Sequence, residues 1–124
     1  MSHHVLVIED DGDIRTALID ALNENGYEAR GAVNGRDALE KLRSAPETRP
    51  CLIVLDLMMP VMDGRAFREE QLASPDLASI PVVVVSAYRE ALDKTLRITD
   101  FVRKPLNVDD LVAAVRRHCA PAAG

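Results

Sequence analysis

The 124-residue chain has no tryptophan, two tyrosines and two phenylalanines. So few aromatic faces leave little on which single-stranded bases could stack, and the core has to be built from Val, Leu, Ile and Ala. Positive charge is also in short supply: 15 Lys and Arg against 20 Asp and Glu give a net charge of −5. A surface of that sign does not gather nucleic acid or an anionic membrane, so no direct nucleic-acid contact is expected, and a cation or a small acidic partner suits it better. No apolar run approaches the roughly 20 residues needed to cross a bilayer, and Met1-Ser2-His3-His4 supplies no basic leader. The expectation is a cytoplasmic protein without membrane insertion. Only Cys51 and Cys119 are present, far apart and without a C-x-x-C pairing, and they are expected as buried free thiols. Neither G-x-G-x-x-G nor G-x-x-x-x-G-K follows the first apolar run, which argues against a small nucleotide- or flavin-binding module.

What is there is 48% hydrophobic and 28% charged, the balance of an ordinary globular domain, and the length suits one domain. Three apolar runs stand out: Val5-Leu6-Val7-Ile8, Cys51-Leu52-Ile53-Val54-Leu55 ending on Asp56, and Ile80-Pro81-Val82-Val83-Val84-Val85 running into Ser86. They are continuous rather than alternating, as strands covered on both faces are, and Pro81 is tolerable at a strand's start. Ile14, Leu18 and Leu22 recur every four residues, which predicts a helix over 13–25, capped by Asp11 or Asp13 and stopped by Gly26. Tyr27 to Val33 reads as a weaker edge strand, and Asn34-Gly35 turns into a helix over 36–45. Further helices are expected over 64–73, 89–97 (short) and 107–118, the last capped by Asn107, with a brief strand at 100–103. This alternation predicts an α/β fold, a doubly wound five-stranded parallel sheet in the order 2-1-3-4-5 with helices on both faces, because parallel strands need right-handed helical crossovers. Residues 1–124 then form a single domain, with 119–124 as a flexible tail.

Ligands of such sheets bind beyond the carboxyl ends of the strands, where the order reverses, here between the first and third strands. Those ends carry Glu9, Asp10 and Asp56. Three carboxylates at one edge repel, each pair by about 4 kcal/mol at about 4 Å and an effective dielectric near 20, unless a cation or a proton intervenes. Hard oxygen donors of this kind suit Mg²⁺, which also binds phosphate. The fourth and fifth strand ends add the hydroxyl of Ser86 and the ammonium of Lys104. Each feature alone is ordinary: Glu-Asp-Asp as a solvated turn, Ser as a cap, Lys as a surface charge. Their coincidence at successive strand ends points to a phosphoryl group.

The stretches Val7-Ile8-Glu9-Asp10-Asp11, Leu55-Asp56-Leu57-Met58-Met59-Pro60 with Met62-Asp63-Gly64, Val85-Ser86-Ala87 and Lys104-Pro105 resemble the receiver domain of two-component response regulators over essentially the whole chain. The resemblance implies a phosphorylation-dependent switch rather than an enzyme, one that catalyses only its own phosphorylation and dephosphorylation. Asp56 would be the phosphoacceptor and Asp10 a direct Mg²⁺ ligand, with the frame set by Arg15, five residues further on, and Asp11 just outside. Glu9 would act through metal-bound water, and Met58 would lend its backbone carbonyl. Lys104 would hold a phosphoryl oxygen, Ser86 would hydrogen-bond the phosphoryl group, and Phe101 matches an aromatic that changes rotamer in many members. The Lys104-Pro105 bond would be cis. Implied partners are a histidine kinase or histidine phosphotransfer protein and a downstream protein target, the chain being either a single-domain regulator or part of a longer one.

The chain also departs from the family pattern. Ser86 and Lys104 lie 18 positions apart, about four fewer than in many members, Ile98-Thr99-Asp100 replaces a usual Gly-Ala, and Leu106 replaces a frequent Phe. The first two differences argue against the standard dimer through the fourth helix, fifth strand and fifth helix, and Leu106 reads as an ordinary core variation. A haloacid-dehalogenase-like phosphatase would share the strand-end Asp, Ser and Lys but needs a second Asp where Met58 stands.

Overall fold

In the computed structural model, which describes residues 4–57, 63–87, 97–105 and 107–120, the apolar runs become the inner strands of one sheet. The strands are β1 (His4–Ile8), β2 (Glu28–Ala32), β3 (Leu52–Asp56), β4 (Val82–Ser86) and β5 (Asp100–Arg103). Every pairing is parallel, and the order is β2-β1-β3-β4-β5. The described helices are α1 (Gly12–Glu24), α2 (Gly35–Ser44), α3 (Gly64–Ala73) and α4 (Val108–His118).

The strands bury both faces because both of their side-chain parities are apolar. Leu6, Ile8, Ile53, Leu55, Val82 and Val84 point to one core, which Leu39 and Leu42 of α2 and Phe67 of α3 complete. The alternate residues Val5, Val7, Val54, Val83 and Val85 point to the other, closed by Leu18 and Leu22 of α1 and Leu111 and Val115 of α4. α1 and α4 therefore cover one face and α2 and α3 the other.

Local chemistry sets the helix ends. The Asp11 carboxylate accepts from the Asp13 and Ile14 amides at 2.9 and 3.0 Å, which makes Asp11 the N-cap of α1. Asn34, Asp63 and Asn107 do the same for α2, α3 and α4. Gly26 follows α1 with φ of 92°, a left-handed conformation that favours glycine.

Two expectations change, and a third lies almost entirely outside the described residues. The helix expected over 89–97 falls almost entirely outside the described residues, and Arg97 at its end is left-handed (φ 49°) and not helical. Cys51 and Cys119 are not free thiols: they form a disulfide, because the parallel topology brings the residue before β3 beside the end of α4, with Cα atoms 5.9 Å apart. Cys119 is accordingly buried and not the first residue of a tail, while 121–124 lie outside the described residues. The Lys104-Pro105 bond is cis.

Candidate functional site

Register alone brings the acids together. Ile8 of β1 pairs with Leu55 of β3, so one step further along both strands Glu9 meets Asp56. Asp56 in turn pairs with Val85 and Ser86 with Arg103, which sets Ser86 and Lys104 one step beyond on the far side. The Lys104 amide donates to the Ser86 carbonyl at 2.9 Å and ties those two ends together.

Glu9 and Asp56 are 3% and 5% exposed, while Asp10 faces solvent. One carboxylate oxygen from each of the three lies within 4.8 Å of the others. The Asp10 amide donates to Glu9 Oε2 at 3.0 Å, and Lys104 Nζ stands 3.4 Å from Asp56 Oδ1. The main chain of Glu9 is held from two directions: its amide donates to the Ala32 carbonyl at 3.1 Å, and its carbonyl accepts from Arg15 Nη1 at 2.8 Å. Asp11 is spent on capping α1 and stays outside the cluster, as its place in the frame implied.

One lysine does not balance three clustered carboxylates, two of them buried and the third, Asp10, facing solvent. Glu9 is pushed up to about 8, first by burial, then by hydrogen bonding with Asp56 and by its charge, then by Asp10, with Lys104 opposing. Beside the acids lies a cavity of about 330 Å³, lined by Glu9, Asp56 and Lys104 and, on its apolar side, by residues that include Ile14, Leu18 and Val108. A donor set made only of oxygens, short of positive charge, is one that a hard divalent cation fits.

Two residues whose part the sequence reading left unstated support this edge. Arg15, there only a marker of the frame, turns out to hold the Glu9 carbonyl. Gly64 opens α3 so close to β3 that a Cβ there would lie 2.6 Å from the Asp56 carbonyl oxygen and 2.6 Å from Leu57 Cα. Its amide donates to the Leu57 carbonyl at 3.0 Å, so glycine is required by close approach. The Asp63-Gly64 pair in the motif was its only sequence signal.

Phe101 pairs with Val84 and packs, half-buried, with Ile98 on the α2/α3 core. Ser86, two residues beyond Val84, shares that face of the sheet. Met58, the expected carbonyl ligand, lies outside the described residues.

Residues 5–116 match the family of the response regulator receiver domain. The chain belongs to that family. Among relatives of this receiver domain, the transcriptional regulatory protein PrrA of Mycobacterium tuberculosis is 38% identical over 119 residues, covering 93% of the chain and 49% of that protein. The response regulator MprA of Mycolicibacterium vanbaalenii is 31% identical over 120 residues, covering 94% and 50%. The chain thus spans about half the length of the curated relatives it matches. Among solved structures, a response regulator receiver protein from Pseudomonas putida superposes with a TM-score of 0.84 at 30% identity, covering 94% of this chain and 98% of that one. The chemotaxis protein CheY4 of Vibrio cholerae gives 0.84 at 26% identity, covering 95% and 99%. The expected five-stranded parallel order is the one observed in this receiver domain. Among the described residues no helix is long and apolar enough to cross a membrane.

Proposed function

We propose that this receiver domain accepts a phosphoryl group on Asp56 from a phosphohistidine of a histidine kinase or histidine phosphotransfer protein, in the cytoplasm, and thereby changes its contacts with a downstream protein target. The observation that carries the reading is the placement of Asp56: buried at the end of β3, with acid oxygens of Glu9 and Asp10 within 4.8 Å and Lys104 at 3.4 Å.

An Asp56 carboxylate oxygen attacks phosphorus as the phosphorus–nitrogen bond breaks, and the electron pair of that bond stays on the imidazole. Such a transfer needs positioning and neutralisation of spread charge more than covalent help. Lys104 neutralises an equatorial oxygen, and the Ser86 hydroxyl donates to the phosphoryl group once it is on Asp56. Asp10, Asp56 and the Met58 carbonyl are the residues that would hold Mg²⁺, with Glu9 behind them. When bound, Mg²⁺ supplies positive charge against the phosphoryl oxygens. Hydrolysis of the acyl phosphate returns the domain to rest, so its chemistry acts only on itself. Movement of Ser86 toward the phosphoryl group vacates space on the face it shares with Phe101, whose ring packs inward and reshapes the surface around β5.

Incubation with Mg²⁺ and a small phosphodonor such as acetyl phosphate should add one phosphoryl group per chain. Asp56→Asn should remove that adduct and leave the fold intact. Stoichiometric phosphorylation of the variant at another residue would overturn the reading.

A further inference from the structure

At the end of the sheet opposite the acids, β3 and α4 are joined covalently. Cys51 immediately precedes β3 and Cys119 caps α4; their sulfurs are bonded across a sequence separation of 68. We propose that this pair is a reversible thiol–disulfide site, a redox clasp on the last helix that acts apart from the phosphoacceptor pocket.

Three observations carry the proposal. The first is that the main chain presents the two residues to one another within bonding reach, since Cα atoms 5.9 Å apart fall in the range disulfides use. Cys51 is also held there independently of its sulfur, because its amide donates to the His4 carbonyl at 3.0 Å, and Cys119 likewise, its amide donating to the Val115 carbonyl at 2.8 Å. The second is access: Cys51 is half-buried, within reach of a small thiol. The third is what else secures the end of α4. The Tyr27 hydroxyl donates to the Cys119 carbonyl at 2.6 Å, and Arg117 and His118 reach the Asp100 carboxylate at 2.7 and 3.1 Å. With Leu111 and Val115 fully buried as well, α4 stays docked when the sulfurs part, so opening is local and not an unfolding.

Closure needs an oxidant, and glutathione disulfide is a sufficient one. A Cys51 thiolate attacks it and releases one glutathione thiolate. The Cys119 thiolate then attacks the mixed disulfide and releases the second. The two cysteines lose two electrons, glutathione disulfide gains them, and the two cysteine protons pass to the glutathione thiolates. In a compartment that keeps thiols reduced the clasp rests open, and its closing reports a departure from that state.

The full chain is treated in parallel with glutathione disulfide and with dithiothreitol, then alkylated, weighed and followed by backbone amide exchange. The oxidised form should be two hydrogen atoms lighter and take up no alkyl group, while the reduced form should take up two. Exchange at 115–120 should be about tenfold faster after reduction, with 4–9 and 52–56 unchanged. The double variant Cys51→Ser, Cys119→Ser should exchange like the reduced form in both buffers. The proposal is overturned if glutathione disulfide leaves both thiols open to alkylation, if dithiothreitol fails to open the pair, if exchange is the same in both forms, or if the double variant still responds to dithiothreitol.

Discussion

Lys104 Nζ lies 3.4 Å from Asp56 Oδ1, the two side chains arriving from the ends of strands that flank β4. In the proposed function this ammonium is the one that would neutralise a phosphoryl oxygen on Asp56. Lys104→Ala should therefore lower the rate of phosphorylation from a small phosphodonor about a hundredfold, the usual scale for losing one charge-stabilising donor. An unchanged rate in single-turnover labelling would exclude the lysine from the transfer.

Metal affinity separates the acids. Asp10→Ala should weaken Mg²⁺ binding strongly, because the variant removes a direct oxygen donor, and Glu9→Gln should weaken it less. Titration followed by calorimetry distinguishes them, and equal affinity in Asp10→Ala and the parent chain would mean that the cluster does not hold the cation.

Glu9 also sets a pH dependence. Its carboxyl is raised from 4.5 to about 8 in the fold, so the protonated form is the one the fold favours. For a raised group the stabilising contribution is complete below the unfolded value and is lost as pH rises through the folded one. The thermal midpoint of the metal-free protein should fall between about 4.5 and about 8, and either Glu9→Gln or added Mg²⁺ should flatten the slope. A flat profile in the parent chain, or a slope that survives Glu9→Gln, contradicts the assignment. At the acid end Asp100 works in the opposite sense. Burial alone would raise it, but hydrogen bonds from Arg117, the Phe101 amide and His118 outweigh that and hold it below 3.8, so its contribution is lost as pH falls through that lowered value.

The strands that carry the site could be read from the chain because Val5 to Ile8, Leu52 to Leu55 and Val82 to Val85 are apolar at both parities, a pattern that only doubly covered strands need. The order 2-1-3-4-5 then brought Glu9 to Asp56 without any side-chain information. The caps at Asp11, one of two candidates with Asp13, and at Asn107 were legible too, since a short polar oxygen before a periodic run has a local cause. Non-local chemistry was not. Nothing around Cys51 points to Cys119, because their meeting depends on where α4 ends against the base of the sheet. Arg68 gives a similar lesson: nothing in the sequence marks it out, yet it is buried, donating to Gln71 Oε1 at 2.7 Å and to the Arg97 carbonyl at 2.6 Å. The Gln71 amide then serves the Leu77 and Ile80 carbonyls, a network that exists only after α3 is docked.

Gly64→Ala tests the close approach of α3 to β3. The added methyl would meet backbone atoms of Asp56 and Leu57, which cannot yield without moving the end of β3 and Asp56 with it. Denaturant unfolding should show a loss of about 1–3 kcal/mol, the cost of overpacking a well-filled site. Unaltered stability would mean that the loop relaxes freely.

The central claim is that one carboxylate, at the end of β3, receives the phosphoryl group. After labelling with Mg²⁺ and acetyl phosphate, borohydride reduces the acyl phosphate to an alcohol and leaves homoserine in place of the modified aspartate, which peptide mass mapping then locates. The account predicts homoserine at position 56 and nowhere else. Homoserine at position 10 or 11, with Asp56 intact, would contradict it.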